Sequence, residues 1–182
     1  MKILTTPNPF LRHTAKSVKS LDNKTVKEVH SMIDILKHTD NPKGVGLAAT
    51  QVGLDKRIFI LLNKKTPQIF VNPTIQKQSK TVFSETFKQE KDRWLEGCLS
   101  IPSIWGFVDR PFAVTLEFQS PKNFPKGDFT LVPQKKIFED IESAYVQHET
   151  DHLNGILFTD HILKQGGTIL KETSAGLEPI SI

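Results

Sequence analysis

The sequence predicts an α+β fold, in which mostly antiparallel sheets pack around a central helix in a single domain spanning residues 1–182. Three observations lead to this prediction. Apolar residues recur at helical spacing in two segments, one early and one late in the chain. Short runs of β-forming residues, bounded by proline, glycine and asparagine, fill the region between them. The chain contains no internal repeat, and its length suits one hydrophobic core.

The first helix is predicted from residue 24 to about residue 38. Asp22 and Asn23 precede it, and either side chain can cap its first turn. The histidines His30 and His38 have no partner at metal-binding spacing, so we expect them to be solvated or at the edge of the helix. The apolar face consists of residues at near-helical spacing, namely Val26, Val29, Ile33 and Leu36.

A segment of small residues follows at 44–53, with the sequence G-V-G-L-A-A-T-Q-V-G. Such a segment is flexible and lets another group approach the backbone closely, so we expect a tight loop against which something docks. It lacks the third glycine of a dinucleotide-binding loop and the lysine of a P-loop. Phosphate binding is therefore not expected here.

Sheet is predicted for the middle of the chain, in six short runs: residues 57–62, 68–71, 81–87, 106–108, 113–118 and 129–132. The stretch from Gln76 to Arg93 is rich in lysine, glutamine and acidic residues. We interpret it as a solvated hairpin or loop without a chemical role.

The second helix is predicted to begin near Glu139 and to stop before Gly155, because acidic residues suit its first turn and glycine ends it. Beyond Ile162 the pattern weakens, and the tail from about residue 164 is expected to be partly loose. The inward face of the helix continues at helical spacing through Ile141, Ala144, Tyr145, His148 and His152.

The residues 148–152 read H-E-T-D-H, an H-E-x-x-H motif. Histidines four positions apart on a helix point from one face and can bind one divalent ion, while Glu149 stays free for proton transfer. The chain's single cysteine, Cys98, lies fifty positions before His148 and can supply a third ligand. Three protein ligands leave a fourth position open for water, which hydrolysis requires and a closed structural site forbids.

Composition argues against several other classes of protein. No stretch approaches the roughly twenty apolar residues of a membrane span. Pro7 and Pro9 interrupt the helix of a transit peptide, and no apolar region suggests a secretory signal. The net charge of +4 is small and scattered, so a direct nucleic-acid role is not expected. The free thiol suits a reducing compartment, and a cytoplasmic location is expected.

Three segments, G-V-G-L-A-A-T-Q, E-G-C-L-S and Q-H-E-T-D-H, stand in this order and resemble the signature set of peptide deformylase. The resemblance extends from Ile3 to His161. That family is a group of hydrolases that removes the formyl group from the formyl-methionine terminus of nascent bacterial and some organellar polypeptides. Because the likeness begins so close to the first residue, a bacterial form is expected.

The resemblance implies one divalent ion per chain, held by Cys98, His148 and His152. The family ion is ferrous iron, and zinc, nickel or cobalt can occupy the site. Glu149 is implied as the general acid and base. The side-chain amide of Gln51 and the backbone N–H of Leu99 would hold the developing oxyanion. A thiolate ligand also predicts sensitivity to oxidation.

The resemblance also indicates how a formyl-methionyl peptide would bind. The backbones of Gly46 and Gly97 would pair with it as an added strand. Glu96 and Arg110 resemble the buried ion pair that steadies the cysteine loop of the family, although Asp109 stands where proline is frequent. The methionine pocket is suggested to be formed by Val45, Ile141, Ala144 and Tyr145.

The expected partners are nascent chains that carry formyl-methionine. The tail lacks the clear terminal helix that aids ribosome contact in parts of the family, so docking through it is not expected, and weak ribosome association stays open. Two alternatives also remain. One is a metalloprotease that cuts internal peptide bonds, since H-E-x-x-H serves that reaction too. The other is an inactive relative that only captures peptides through its metal site.

Overall fold

The computed structural model describes residues 1–40, 43–63, 66–89, 93–125 and 127–180. Within these ranges the helices are α1 (Asn23–Lys37), α2 (Asp140–Leu153) and α3 (Phe158–Lys164). The strands are β1 (Gly46–Ala48), β2 (Ile58–Asn63), β3 (Thr66–Gln78), β4 (Glu96–Cys98), β5 (Ile101–Gly106), β6 (Ala113–Asn123), β7 (Asp128–Glu139), β8 (Ile169–Thr173) and β9 (Gly176–Ile180). None of these helices has the length and apolar character that crossing a bilayer requires.

The strands form two sheets whose neighbouring strands are all antiparallel. The first has the order β1-β2-β3-β6-β7, and the second has the order β4-β5-β8-β9. Helix α2 follows β7 directly and packs on the first sheet, where Val146 and Leu153 join a buried cluster that includes Phe59 and Phe70. Cys98, at the end of β4, reaches the same helix from the second sheet. The predicted α+β fold with antiparallel sheets around this helix is confirmed.

The predicted first helix is confirmed, with each end within one residue of its predicted position. Asp22 provides the cap, because its carboxylate accepts a hydrogen bond from the backbone N–H of Thr25 at 2.7 Å. The helix packs its apolar face on β1 and β2. That face contains the four residues of the sequence pattern, which are all buried: Val26, Val29, Ile33 and Leu36.

Four of the six predicted strands lie largely within β2, β3, β6 and β7, and two predictions are wrong. Residues 81–87 contain a 3-10 turn, Phe83–Glu85, instead of a strand, because the carboxylate of Asp109 accepts hydrogen bonds from the backbone N–H and the hydroxyl of Ser84, at 2.8 and 2.7 Å. The strand predicted at 106–108 lies upstream, since β5 ends at Gly106. The loop predicted at 76–93 is largely exposed in its described part, and residues 90–92 lie outside the described ranges. Strand β3 extends into its start, and the side chain of Phe83 within it is buried.

The tail differs from the expectation of a loose segment. Residues after α3 form the hairpin of β8 and β9, and β8 pairs with β5 of the second sheet. Ile169 is its one side chain in the buried core of the described chain, with 3% exposure. The sequence pattern is weak here because the hairpin depends on pairing with a distant strand more than on its own apolar face.

Candidate metal centre and active site

Three side chains from two distant segments meet beside α2. The Sγ atom of Cys98 lies 3.2 Å from Nε2 of His152, and the rings of His148 and His152 stand nearly perpendicular with centroids 4.9 Å apart. One donor atom from each of the three residues lies within 4.8 Å of the other two. The helical spacing of four residues brings the imidazoles to one face, and the end of β4 brings the sulfur to that face. The structure thus brings together the three ligands expected from the sequence.

The imidazole of His148 is fixed from behind by a buried ion pair. Its Nδ1 lies 2.8 Å from Oε2 of Glu96, and Arg110 donates to both oxygens of the same carboxylate. Arg110 also donates to Asp151 on α2 at 2.8 Å. Burial by itself would raise the pKa of Glu96, but the charge of Arg110 and the hydrogen bonds of His148 and Arg110 outweigh it and lower the pKa to about 2. Glu96 is therefore a permanent anion that orients His148.

Glu149 lies in the gap between α2 and β1. A Cβ atom at position 46 would stand 2.3 Å from the Oε1 atom of Glu149 and 2.8 Å from the side chain of Leu61, so only glycine lets these elements approach so closely. Glu149 is 5% exposed. Burial is the main cause that raises the pKa of Glu149 to about 7. Near neutral pH this carboxylate can therefore both accept and return a proton.

Gln51 lies beside the cysteine. It belongs to a 3-10 turn, Ala49–Val52, that follows β1 where a loop was predicted. Its amide oxygen accepts a hydrogen bond from the backbone N–H of Ala48 at 2.8 Å, which directs the amide nitrogen toward Ser100 at 3.1 Å and Cys98 at 3.5 Å. Leu99, the next residue after Cys98, lines the same cleft. An amide donor and the residue expected to supply a backbone donor thus lie beside the sulfur.

The donor set fits a divalent cation. Among the residues described, the buried atoms Oε2 of Glu149 and Nδ1 of His152 have no hydrogen-bond partner. Burial lowers the pKa of His152 and keeps it in the neutral form that binds metals. Burial would also lower the pKa of His148, yet hydrogen bonds and negative charge from Cys98 and Glu96 raise it well above its usual value. The surroundings of His148 therefore favour a positive charge between the three ligands. One sulfur and two nitrogens suit iron, zinc, nickel or cobalt.

A cleft opens at these residues. Of the expected peptide-binding residues, it is lined by Val45, Gly46, Gly97 and Tyr145. Ile141 and Ala144 do not line it. Ala144 is covered completely by the surrounding protein, and Ile141 lies two helical turns, or about 10 Å, before His148. Two of the four residues expected to form the methionine pocket are therefore absent from the wall of the cleft.

Sequence reasoning missed other residues of the cleft wall. Trp94 and Trp105 both line it, together with Lys43, Gly44 and Leu95. The ring of Trp94 meets Tyr145 edge to face, with centroids 5.8 Å apart. Trp94 could have been noticed, because it stands only two positions before E-G-C-L-S. Trp105 gave no such signal, since its position depends on the pairing of β4 with β5.

The chain is similar to known proteins over most of its length. The polypeptide deformylase family model matches residues 1–167. The chain belongs to the polypeptide deformylase family. The peptide deformylase of Brucella suis is 37% identical over 163 residues, which cover 87% of this chain and 82% of that protein. The peptide deformylase of Borreliella burgdorferi is 35% identical over 163 residues, which cover 88% and 87%.

Solved structures of peptide deformylases share the fold. The inhibitor complex of the Plasmodium falciparum enzyme has a TM-score of 0.70 at 36% identity and covers 88% of each chain. The Thermotoga maritima enzyme has a TM-score of 0.73 at 29% identity, covering 88% of this chain and 95% of that one. The resemblance inferred from the three sequence motifs is confirmed, and the chain is a hydrolase of the deformylase class.

Proposed function

We propose that the chain removes the N-terminal formyl group from formyl-methionyl nascent peptides and releases formate, with the residues beside α2 as its catalytic machinery. Membership of the deformylase family supports the reaction. The observation that carries the assignment of residues is the meeting of Cys98, His148 and His152 near a buried Glu149, whose Oε2 atom has no hydrogen-bond partner among the described residues. The family match disfavours the metalloprotease and the inactive relative.

The family depends on a metal, and Cys98, His148 and His152 would hold it here. We propose ferrous iron as the ion in the cell. When bound, a divalent ion lowers the pKa of water and polarises a carbonyl oxygen. Glu96 would keep the His148 ring in the tautomer that offers its other nitrogen to the ion.

Glu149 would move the proton twice. With a pKa raised to about 7, it can take a proton from the water that attacks the formyl carbon and then give that proton to the departing amine. The products are formate and a free methionine terminus. Its carboxylate faces Gly46, so the proton carrier and the expected peptide-pairing backbone are adjacent.

Gln51 and Leu99 would stabilise the negative charge that develops on the formyl oxygen. The amide of Gln51 is oriented before any peptide arrives, because the N–H of Ala48 holds its oxygen. The peptide itself would extend between Gly46 of β1 and Gly97 of β4, and Val45, Trp94 and Tyr145 would surround the methionine side chain.

We also propose a cytoplasmic location. Formylated nascent chains arise where translation occurs, and a free buried cysteine suits a reducing compartment.

The deciding experiment measures formate release from formyl-Met-Ala by protein purified without oxygen, with metal content determined on the same sample. A longer unformylated peptide serves as the protease control. Rapid formate release with no cleavage of the control peptide supports the proposal. Cleavage of internal peptide bonds without formate release would replace it with the metalloprotease.

A further inference from the structure

Trp105 forms a wall of the cleft and lies over Gly97. The two residues are directly opposite each other in the pairing of β5 with β4. A Cβ atom at Gly97 would stand 2.6 Å from the Trp105 ring, so the ring occupies the space that any larger residue would need. Trp105 remains partly exposed toward the cleft. An aromatic face is thus presented beside the strand that is expected to pair with the peptide.

The tail hairpin holds this ring from the other side. The indole N–H of Trp105 donates to the Oε2 atom of Glu172 at 3.2 Å. Glu172 lies on β8, two residues after Leu170, which pairs with Trp105. Glu172 is exposed, and this hydrogen bond is the contact of its side chain with the cleft wall; the buried side chain of the hairpin is Ile169.

Strand geometry indicates what the ring would meet. β4 is an edge strand of its sheet, with β5 on one side. Side chains of directly paired residues lie on the same face of a sheet. A peptide residue paired with Gly97 would therefore place its side chain on the face that Trp105 covers. Because Gly97 has no side chain, the peptide side chain and the Trp105 ring would be in contact.

We propose that Glu172 is a positioning residue for substrate selection: it fixes Trp105 as an aromatic platform for an apolar side chain that follows the methionine of the peptide. This inference rests on the proposed function and adds a second selective surface to it. The first surface, at Trp94 and Tyr145, receives the methionine. The C-terminal hairpin, which contains no catalytic residue, thereby takes part in the choice of substrate.

Steady-state kinetics test the proposal with three peptides: formyl-Met-Ala-Ala, formyl-Met-Phe-Ala and formyl-Met-Ala-Phe. The wild type should show a lower KM for one phenylalanine peptide than for the alanine peptide. Glu172→Ala should raise that KM about 3-fold to 10-fold, the range expected for a lost aromatic contact, and leave kcat nearly unchanged. Glu172→Gln keeps a hydrogen-bond acceptor and should retain the wild-type KM.

Glu178→Ala is the matched control, because it removes the same charge from β9 of the same hairpin. It should leave all three KM values unchanged. The proposal is overturned if Glu172→Ala behaves like Glu178→Ala, if it raises the KM of all three peptides equally, or if the wild type does not distinguish the peptides.

Fluorescence provides a readout that does not need turnover. The chain has two tryptophans, Trp94 and Trp105, so Trp94→Phe leaves Trp105 as the only one. In a Trp94→Phe, Glu149→Gln background, the better phenylalanine peptide should change the emission of Trp105, and adding Glu172→Ala should weaken that change. No change on peptide addition would contradict the platform. Absence of formate release by the wild type would instead contradict the proposed function, and the fluorescence result would still stand.

Discussion

The Oε2 atom of Glu96 lies 2.8 Å from Nδ1 of His148, and the side chain of Glu96 has no exposed surface. A buried anion at this distance fixes the rotation of the ring and its tautomer, so that the other nitrogen faces Cys98 and His152. The anion is in turn neutralised by Arg110, whose side chain is 4% exposed. The geometry of the candidate metal centre therefore depends on a residue that is not one of its ligands.

Glu96→Ala should weaken metal binding and the fold together. Losing the group that orients a histidine ligand typically reduces metal affinity about 10-fold to 100-fold. Arg110 would also be left as a buried charge without its main partner, which costs about 3 to 5 kcal/mol. Metal titration and urea unfolding measure the two effects. Glu117→Ala, which breaks the exposed pair with Lys135, is the control and should change stability by at most about 1 kcal/mol. Equal behaviour of both variants would contradict the prediction.

Glu149→Gln should keep the bound metal and lose nearly all activity. The amide has almost the same shape as the carboxylate but cannot accept the proton, and general acid and base catalysis contributes about 100-fold to 10,000-fold. Metal analysis and formate release on one preparation check both parts. Glu142→Gln changes an exposed acid on the same helix and should remain fully active. A Glu149→Gln enzyme within a few-fold of the wild type would remove Glu149 from the mechanism.

Gly46→Ala should lower both stability and activity, because the new methyl group would overlap the carboxylate of Glu149 and the side chain of Leu61. Overpacking of this kind typically costs about 1 to 3 kcal/mol. Thermal unfolding measures the loss. Combining Gly46→Ala with Glu149→Ala removes the main clash, so the double variant should be more stable than the two separate losses predict. Simple additivity would show that the two residues are not in conflict.

The metal centre should be sensitive to oxygen. A thiolate ligand and ferrous iron are both readily oxidised, so aerobic purification should reduce formate release relative to anaerobic purification. Removal of the metal with a chelator should abolish activity, and addition of ferrous iron without oxygen should restore it. Replacement by nickel should give an enzyme that tolerates air. Equal activity of iron-loaded protein after both purifications would contradict a labile ferrous centre.

Helices α1 and α2 and the ligand cluster could be predicted from sequence because their signals are local, whereas α3 was not predicted. A helix needs only regular spacing and a cap, as at Asp22, and the histidines of α2 sit four residues apart. Cys98 was found because it is the only cysteine and lies within a recognisable motif. Glu96 and Arg110 were suggested only by family likeness, and the structure places them in contact.

The errors concern features that depend on contacts between distant segments. Residues 81–87 have strand-forming composition, but Asp109 holds Ser84 in a turn. The hairpin of β8 and β9 has little apolar pattern because it is secured by pairing with β5. Ile141 and Ala144 continue the helical stripe toward His148, yet Ala144 is fully covered and neither residue lines the cleft. Periodicity identifies a buried face without telling which neighbour covers it.

The position of Cys98 has a practical consequence. Its side chain is 5% exposed and lines the cleft, and the chain has no other thiol. An alkylating reagent that reaches the sulfur through the cleft uses the route that a peptide would use, and a coordinated ion would mask the sulfur as well. The labelling rate of this one atom reports occupancy of the whole centre, which makes intact-mass detection of a single adduct a direct screen for inhibitors.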